Sequence, residues 1–173
     1  MSRPSLPRRR VLALPWLLSC PAIGTLAATP PVPVLTISGP HLGPPAQNGH
    51  KTFDLAALQQ MPQRKIVSTT PWHSGVSEFS GPLLRDVLEA AGAGTGADGS
   101  LRCTALNDYR VEIPVEDARR FDVVVAHLFN GKPMSVREKG PLFVIYPFDE
   151  QPQLRTTTYF SRCIWQLKRI EWV

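Results

Sequence analysis

Few side chains in this sequence have the type and spacing to carry chemistry. The four histidines stand at 41, 50, 73 and 127, without metal-ligand spacing. No G-x-S-x-G, P-loop, G-x-G-x-x-G or C-x-x-C occurs. The usual signatures of serine hydrolases, phosphate-binding loops, dinucleotide folds and thiol exchange are therefore missing. His127 lies in an apolar run and reads as a satisfied core or edge histidine. His73 follows Trp72 and is either a solvated loop residue or a ligand contact.

What remains are groups that bind rather than react. Residues 66–72, IVSTTPW, set Thr69 and Thr70 beside Trp72, with no thiol, imidazole or carboxylate among them. Residues 105–109, ALNDY, place Asn107, Asp108 and Tyr109 between two strand-like runs. Asn-Asp there is ordinary hairpin chemistry. Equally, the trio presents an amide, a carboxylate and a phenol that can read the edge of a flat heterocycle, the carboxylate taking paired N–H donors. Arg155, Tyr159 and Arg162 flank the Thr-rich stretch TTTYFSR; they are either an anion-binding set or unpaired surface residues. Residues 136–139, VREK, read as a solvated loop, and Trp165 as core. Cys103 and Cys163 sit in apolar runs. They are either two buried small hydrophobes or, in an oxidising compartment, a disulfide. No catalytic residue and no metal ligand emerges from this survey.

The elements that must position these groups are short. Residues 34–38 (VLTIS) alternate as a strand, and 39–50 are Gly- and Pro-rich loop. Asp54 can cap a helix with Leu55, Leu58 and Met61 on one face, ended by Pro62. Residues 64–69 form the next strand. The clearest helix is 82–92, PLLRDVLEAAG, with Pro82 in its first turn, Gly92 at its end and an apolar stripe of Leu83, Leu84, Val87, Leu88 and Ala91. A flexible loop covers 93–100. Strands follow at 101–106 and 109–113, a short helix at 114–120, and a buried strand at 122–128. Asn130 to Pro133 turn the chain, and strands at 142–148 and 164–172 close it. Seven or eight short strands with three irregularly inserted short helices, and no βαβα rhythm, argue against a doubly wound parallel sheet. They predict a mixed α+β fold with a largely β-sheet core.

The chain has 173 residues, and its first 28 have another purpose. Arg8, Arg9 and Arg10 precede the apolar run Val11 to Leu18, and small residues lead to Ala27-Ala28. This is the layout of a cleaved signal peptide, too short and interrupted to span a membrane. Arg9-Arg10-Val11-Leu12 partly fits a twin-arginine export signal, and Leu17-Leu18-Ser19-Cys20 a lipobox that would lipidate Cys20. Residues 29–173 then form one domain, exported to the periplasm. The leader holds four of the 19 basic residues and none of the 14 acids, so the remainder carries a net charge of +1. That balance, with no basic run interleaved with aromatics, argues against a nucleic-acid partner.

The order TPW, F-x-G-P-L-L-R-D-V-L, A-L-N-D-Y, V-E-I-P, N-G-K-P-M, K-G-P-L-F-V-I-Y-P and S-R-C-I-W-Q-L-K-R-I resembles the sulfite-oxidase-type molybdopterin-binding domain. It is most similar to the small exported single-domain members, over residues 34–172. The resemblance implies an α+β fold built on β-sheet, with a pterin-derived cofactor in a cleft. In the enzymes of this family a Cys thiolate ligates molybdenum. It stands about ten residues before the aromatic that here is Phe79, which places Thr69 at that position, with Thr70 beside it. A hydroxyl is a hard, weakly acidic group and cannot replace a thiolate on a soft metal site. The resemblance therefore implies a pterin or molybdopterin-like ligand without a conventional molybdenum centre. Trp72 would stack the ring, Asn107 and Asp108 would read its edge, and Thr69 or Thr70 would add a hydrogen bond. Tyr109, Tyr159 and Arg162 complete the candidate set. Some small exported relatives bind pterins and report to a membrane signalling enzyme, such as one controlling cyclic diguanylate. A molybdopterin-dependent oxidoreductase and a ligand-free interaction domain are the alternatives.

Overall fold

The computed structural model describes residues 32–93 and 98–173. The leader expected over 1–28, with Cys20, lies outside the described residues, as does the middle of the loop expected over 93–100. The elements run in the order β1 (Leu35–Ser38), β2 (His50–Phe53), α1 (Leu55–Gln60), β3 (Gln63–Thr70), β4 (His73–Pro82), α2 (Leu84–Ala90), β5 (Ser100–Ala105), β6 (Arg110–Pro114), α3 (Val115–Arg120), β7 (Val124–Ala126), β8 (Leu128–Phe129), β9 (Lys132–Pro133), β10 (Phe143–Ile145), α4 (Thr157–Arg162), β11 (Ile164–Trp165) and β12 (Leu167–Trp172).

The strands form three sheets. The first has the order β2-β1-β12-β5-β6, the second β11-β10-β7, and the third β3-β4-β8-β9. Among the described residues only β1 and β12 pair in parallel; the other registers are antiparallel. The chain is thus largely β with short helices, the architecture expected from the sequence. One continuous core joins the sheets. Leu35, Ile37, Leu101, Cys103, Ile113 and Ile170 bury one face of the first sheet, and Ile66, Phe79, Phe143 and Val144 join it from the others.

Local chemistry explains the boundaries. Asp54 Oδ1 accepts from Ala57 N at 2.7 Å and caps α1 as expected, although Leu58 alone of its apolar face is fully buried. Helix α2 is shorter than the expected 82–92, because Pro82 ends β4 and Leu83 is the cap. Gly92, with φ of 92°, stops it in a left-handed conformation that a side chain rarely adopts. Gly81 has a different role: a Cβ there would overlap the backbone of Val125, so β4 can approach β7 this closely only over a glycine.

Several readings need correction or completion. Strand β4 fills a stretch left unassigned between the strand at 64–69 and the helix, since HSGVSEFSGP lacks the apolar alternation that marks a strand. Residues 50–53, read as loop and helix start, pair with β1 as β2. The run 122–128 is not one strand: β7 and β8 belong to different sheets, and the chain changes sheet at His127. The closing strand breaks likewise at Gln166, whose φ is 55°. Finally, TTTYFSR forms α4, which the sequence reading left unassigned.

Candidate functional site

The end of β3, the turn after β5, helix α4 and β11 converge on a cavity of about 550 Å³. That lies within the range of small-molecule sites, about 300–1,000 Å³. Trp72 and Pro71 come from the turn after β3, Asn107 and Tyr109 from the β5–β6 turn, and Thr157, Phe160 and Ser161 from one face of α4. Ala105, Cys163 and Trp165 complete the lining. Three of the expected site residues, Trp72, Asn107 and Tyr109, therefore meet although they lie far apart in sequence.

The wall is aromatic. Trp72 meets Trp165 edge-on at 5.9 Å between centroids, Phe160 at 6.0 Å and Phe143 at 5.9 Å. Such contacts fix the ring while leaving Trp72 half-buried at the opening. The polar lining is neutral: an amide from Asn107, hydroxyls from Thr157, Ser161 and Tyr109, and the Cys163 thiol. Asn107 Oδ1 accepts from Tyr109 N at 3.2 Å, so the amide also shapes its own turn. Asp108, with φ of 64°, holds that turn in the left-handed region.

The other expected site residues are engaged elsewhere. Asp108 turns away to Lys168, Oδ1 to Nζ 2.7 Å, and that hydrogen bond and charge hold its carboxyl below the usual range. Arg162 is not a free anion ligand. Its guanidinium pairs with Asp117 Oδ2 at 2.7 Å, an oxygen that also accepts from Tyr146 Oη at 2.7 Å. Asp117 and Tyr146 are buried, and burial with the Asp117 contact pushes the Tyr146 phenol far up. Tyr159 packs on Phe121 and Tyr146, with the Arg162 guanidinium 5.1 Å over its ring. Thr70, buried, bonds through Oγ1 to His73 Nδ1 at 3.1 Å. Thr69 is held by Asp149: its N–H donates to Oδ2 at 2.8 Å and its Oγ1 to Oδ1 at 3.0 Å. Arg155 Nη1 donates to Thr69 Oγ1 at 2.9 Å and pairs with the same carboxylate.

The histidines resolve as well. His127 is buried, its Nε2 2.9 Å from Gln63 Oε1, so it is the satisfied core histidine expected. His73 is no solvated loop residue. It opens β4 with its ring 4.7 Å from that of Phe129, and burial, then the Lys139 charge, lowers its pKa. Lys139, expected to be solvated, lies 5.0 Å over the Trp165 ring.

Sequence reasoning missed half of the cavity: Thr157, Phe160, Ser161, Cys163 and Trp165. A helical signal was present, because Thr157, Phe160 and Ser161 are spaced i, i+3, i+4. It was obscured by the β-branched threonines.

The donor set does not fit a metal. Cys103 and Cys163 are both free and buried, so the possible disulfide is not formed. Burial pushes the Cys103 thiol up to about 12 and the Cys163 thiol well above its ordinary value, as expected of buried thiols with no charged partner beside them. Among the described residues no group of three or more His, Cys, Asp or Glu could hold an ion. The lining suits a flat organic ring with hydrogen-bonding edges.

Residues 47–149 match the oxidoreductase molybdopterin binding domain family. The chain is also similar in structure to the sulfane dehydrogenase SoxCD from Paracoccus pantotrophus, with a TM-score of 0.56 and 15% sequence identity. That similarity covers 80% of this chain and 37% of the SoxCD chain, and at such low identity it is a likeness of fold. No match is found among curated protein sequences.

Proposed function

Because this chain belongs to the oxidoreductase molybdopterin binding domain family, we propose that it binds a pterin in the Trp72 cavity without catalysing a redox reaction, as an exported protein that presents the ligand to a membrane signalling partner. The observation that carries this reading is the lining itself. Rings of Trp72, Phe160, Trp165 and Tyr109 surround a space whose polar groups are neutral, and Thr69 stands where the resemblance puts the molybdenum-ligating Cys. Stacking a base-like ring on an aromatic side chain contributes about 1–3 kcal/mol. Asn107 and Ser161 offer both donors and acceptors to a guanine-like edge. The β5–β6 turn supports the presenting role. Asn107 and Tyr109 line the cavity, while Leu106 and Tyr109 are large side chains exposed on the same turn, where a partner could sense occupancy.

The test uses protein isolated from its native compartment. Ligand released by acid is read by pterin fluorescence, and metal is measured on the same preparation. A fluorescent pterin with less than one molybdenum in ten chains is the expected result. Absence of any carried pterin, together with no binding of 6-hydroxymethylpterin in titration, refutes the reading. Stoichiometric molybdenum would instead favour a molybdopterin-dependent oxidoreductase, and no ligand of either kind an interaction domain.

A further inference from the structure

The contacts around Asp149 lie outside the cavity lining, yet they join the two chain segments that build its aromatic wall. Thr69 stands two residues before Pro71 and three before Trp72. Arg155 stands two residues before Thr157, at the start of α4, which carries Phe160 and Ser161. Asp149 bonds to both segments: to Thr69 through its backbone N–H and its hydroxyl, and to Arg155 through an ion pair. Arg155 closes the third side by donating to Thr69 Oγ1 at 2.9 Å. We propose that Thr69, Asp149 and Arg155 form a clasp that fixes the spacing between Trp72 and α4, and so selects a bicyclic ring over larger flat ligands. The ligand half of this inference rests on the pterin reading above; the geometric half does not.

Three observations support it. The Asp149 and Arg155 side chains are 35% and 39% exposed, so the clasp is open to solvent and adds little to global stability. Its bonds are nonetheless directional and charge-assisted, which suits positioning more than anchoring. Burial alone would raise the Asp149 carboxyl. The Thr69 hydrogen bonds and the Arg155 charge outweigh it and hold the group below its ordinary value, so the clasp is ionised at neutral pH.

The reporter is built into the wall. Trp72 and Trp165 lie 5.9 Å apart with planes 68° to one another, a geometry that couples two indoles in circular dichroism. Trp165→Phe identifies that signal. Asp149→Asn and Thr69→Val should weaken it while shifting the melting temperature little, and Thr69→Ser should preserve it. In titrations of the full mature chain, the preference for 6-hydroxymethylpterin over the tricyclic lumichrome should fall about tenfold in Asp149→Asn, equivalent to one bond's worth of positioning. An unchanged couplet and an unchanged preference overturn the clasp. A lost preference with an intact couplet also overturns it, because Asp149 would then touch the ligand directly. A weakened couplet with the preference kept removes the selective role. If the wild type binds neither compound, the pterin reading fails, and the couplet alone decides whether the clasp exists.

Discussion

Trp72→Ala separates the two roles of this side chain, as structure and as binding surface. The indole meets three rings edge-on at 5.9 to 6.0 Å. Each such pair contributes about 0.5–1.5 kcal/mol beyond area, and truncating a fully buried Trp costs about 3–5 kcal/mol. Trp72 is half-buried at an opening, where the truncation leaves solvent-accessible space and not a sealed void. We therefore expect a loss of about 2–3 kcal/mol, a fall in Tm of roughly 6–12 °C for a domain of this size. The variant stays folded at 25 °C. Its affinity for 6-hydroxymethylpterin should drop about 5- to 150-fold, the equivalent of 1–3 kcal/mol of stacking. Trp72→Phe keeps a ring in place and should bind within about fivefold of wild type, because stacking tolerates any π-face. Fluorescence titration and thermal melts on the same three proteins give both numbers. A folded Trp72→Ala protein that binds within twofold of wild type would refute the placement of the ligand against this wall.

Three further outcomes follow from other parts of the fold. Arg162→Met should cost about 3 kcal/mol in denaturant unfolding, since it strands buried Asp117, yet leave pterin affinity within twofold; a large affinity loss with normal stability would restore Arg162 as an anion ligand. Gly81→Ala should cost at least about 3 kcal/mol, because a Cβ there meets the Val125 backbone and no side chain can move aside; a change under 1 kcal/mol would show that β4 and β7 separate easily. Burial holds the His127 pKa below 6.5, so between the folded value and 6.5 the unfolded chain binds more protons. The stability from neutral His127 is complete above pH 6.5 and is lost as pH falls through the folded value. Urea midpoints from pH 8 to 5 should drop less steeply in His127→Asn, and equal slopes would exclude His127 as a source.

What could be read from the sequence depended on how local its physics was. The α2 stripe, the Asp54 cap and the Asn107-Asp108 turn are decided within a few residues, and each stands near where it was expected. Strand β4 was illegible because its inward side alternates Ser77 and Phe79 and its outward side carries polar residues and an exposed Val76, a pattern without contrast. The break at His127 was equally hidden, since a continuous apolar run does not record a change of sheet.

The site shows the same limit more sharply. Trp72, Asn107 and Tyr109 were identified because each could bind a ring on its own, and the structure brings them to one cavity. Asp108 and Arg162 were chosen by the same criterion, but partners 60 and 45 residues away claim them. Asp149 was never a candidate, for its contact with Thr69 spans 80 residues. Charge is where residue type misleads most. A lone carboxylate or guanidinium reads as a ligand-binding group, yet ion pairing satisfies it before any ligand arrives. Aromatic rings carry no such demand, so a half-buried Trp beside neutral hydrogen-bonding groups is the safer pointer to a ligand. By that reasoning the cavity should prefer a flat neutral ring to an anionic one. A titration comparing 6-hydroxymethylpterin with 6-carboxypterin decides it: tighter binding of the carboxylate would require a cation at the cavity, and half-buried Lys139, behind Trp165, would be the first to replace.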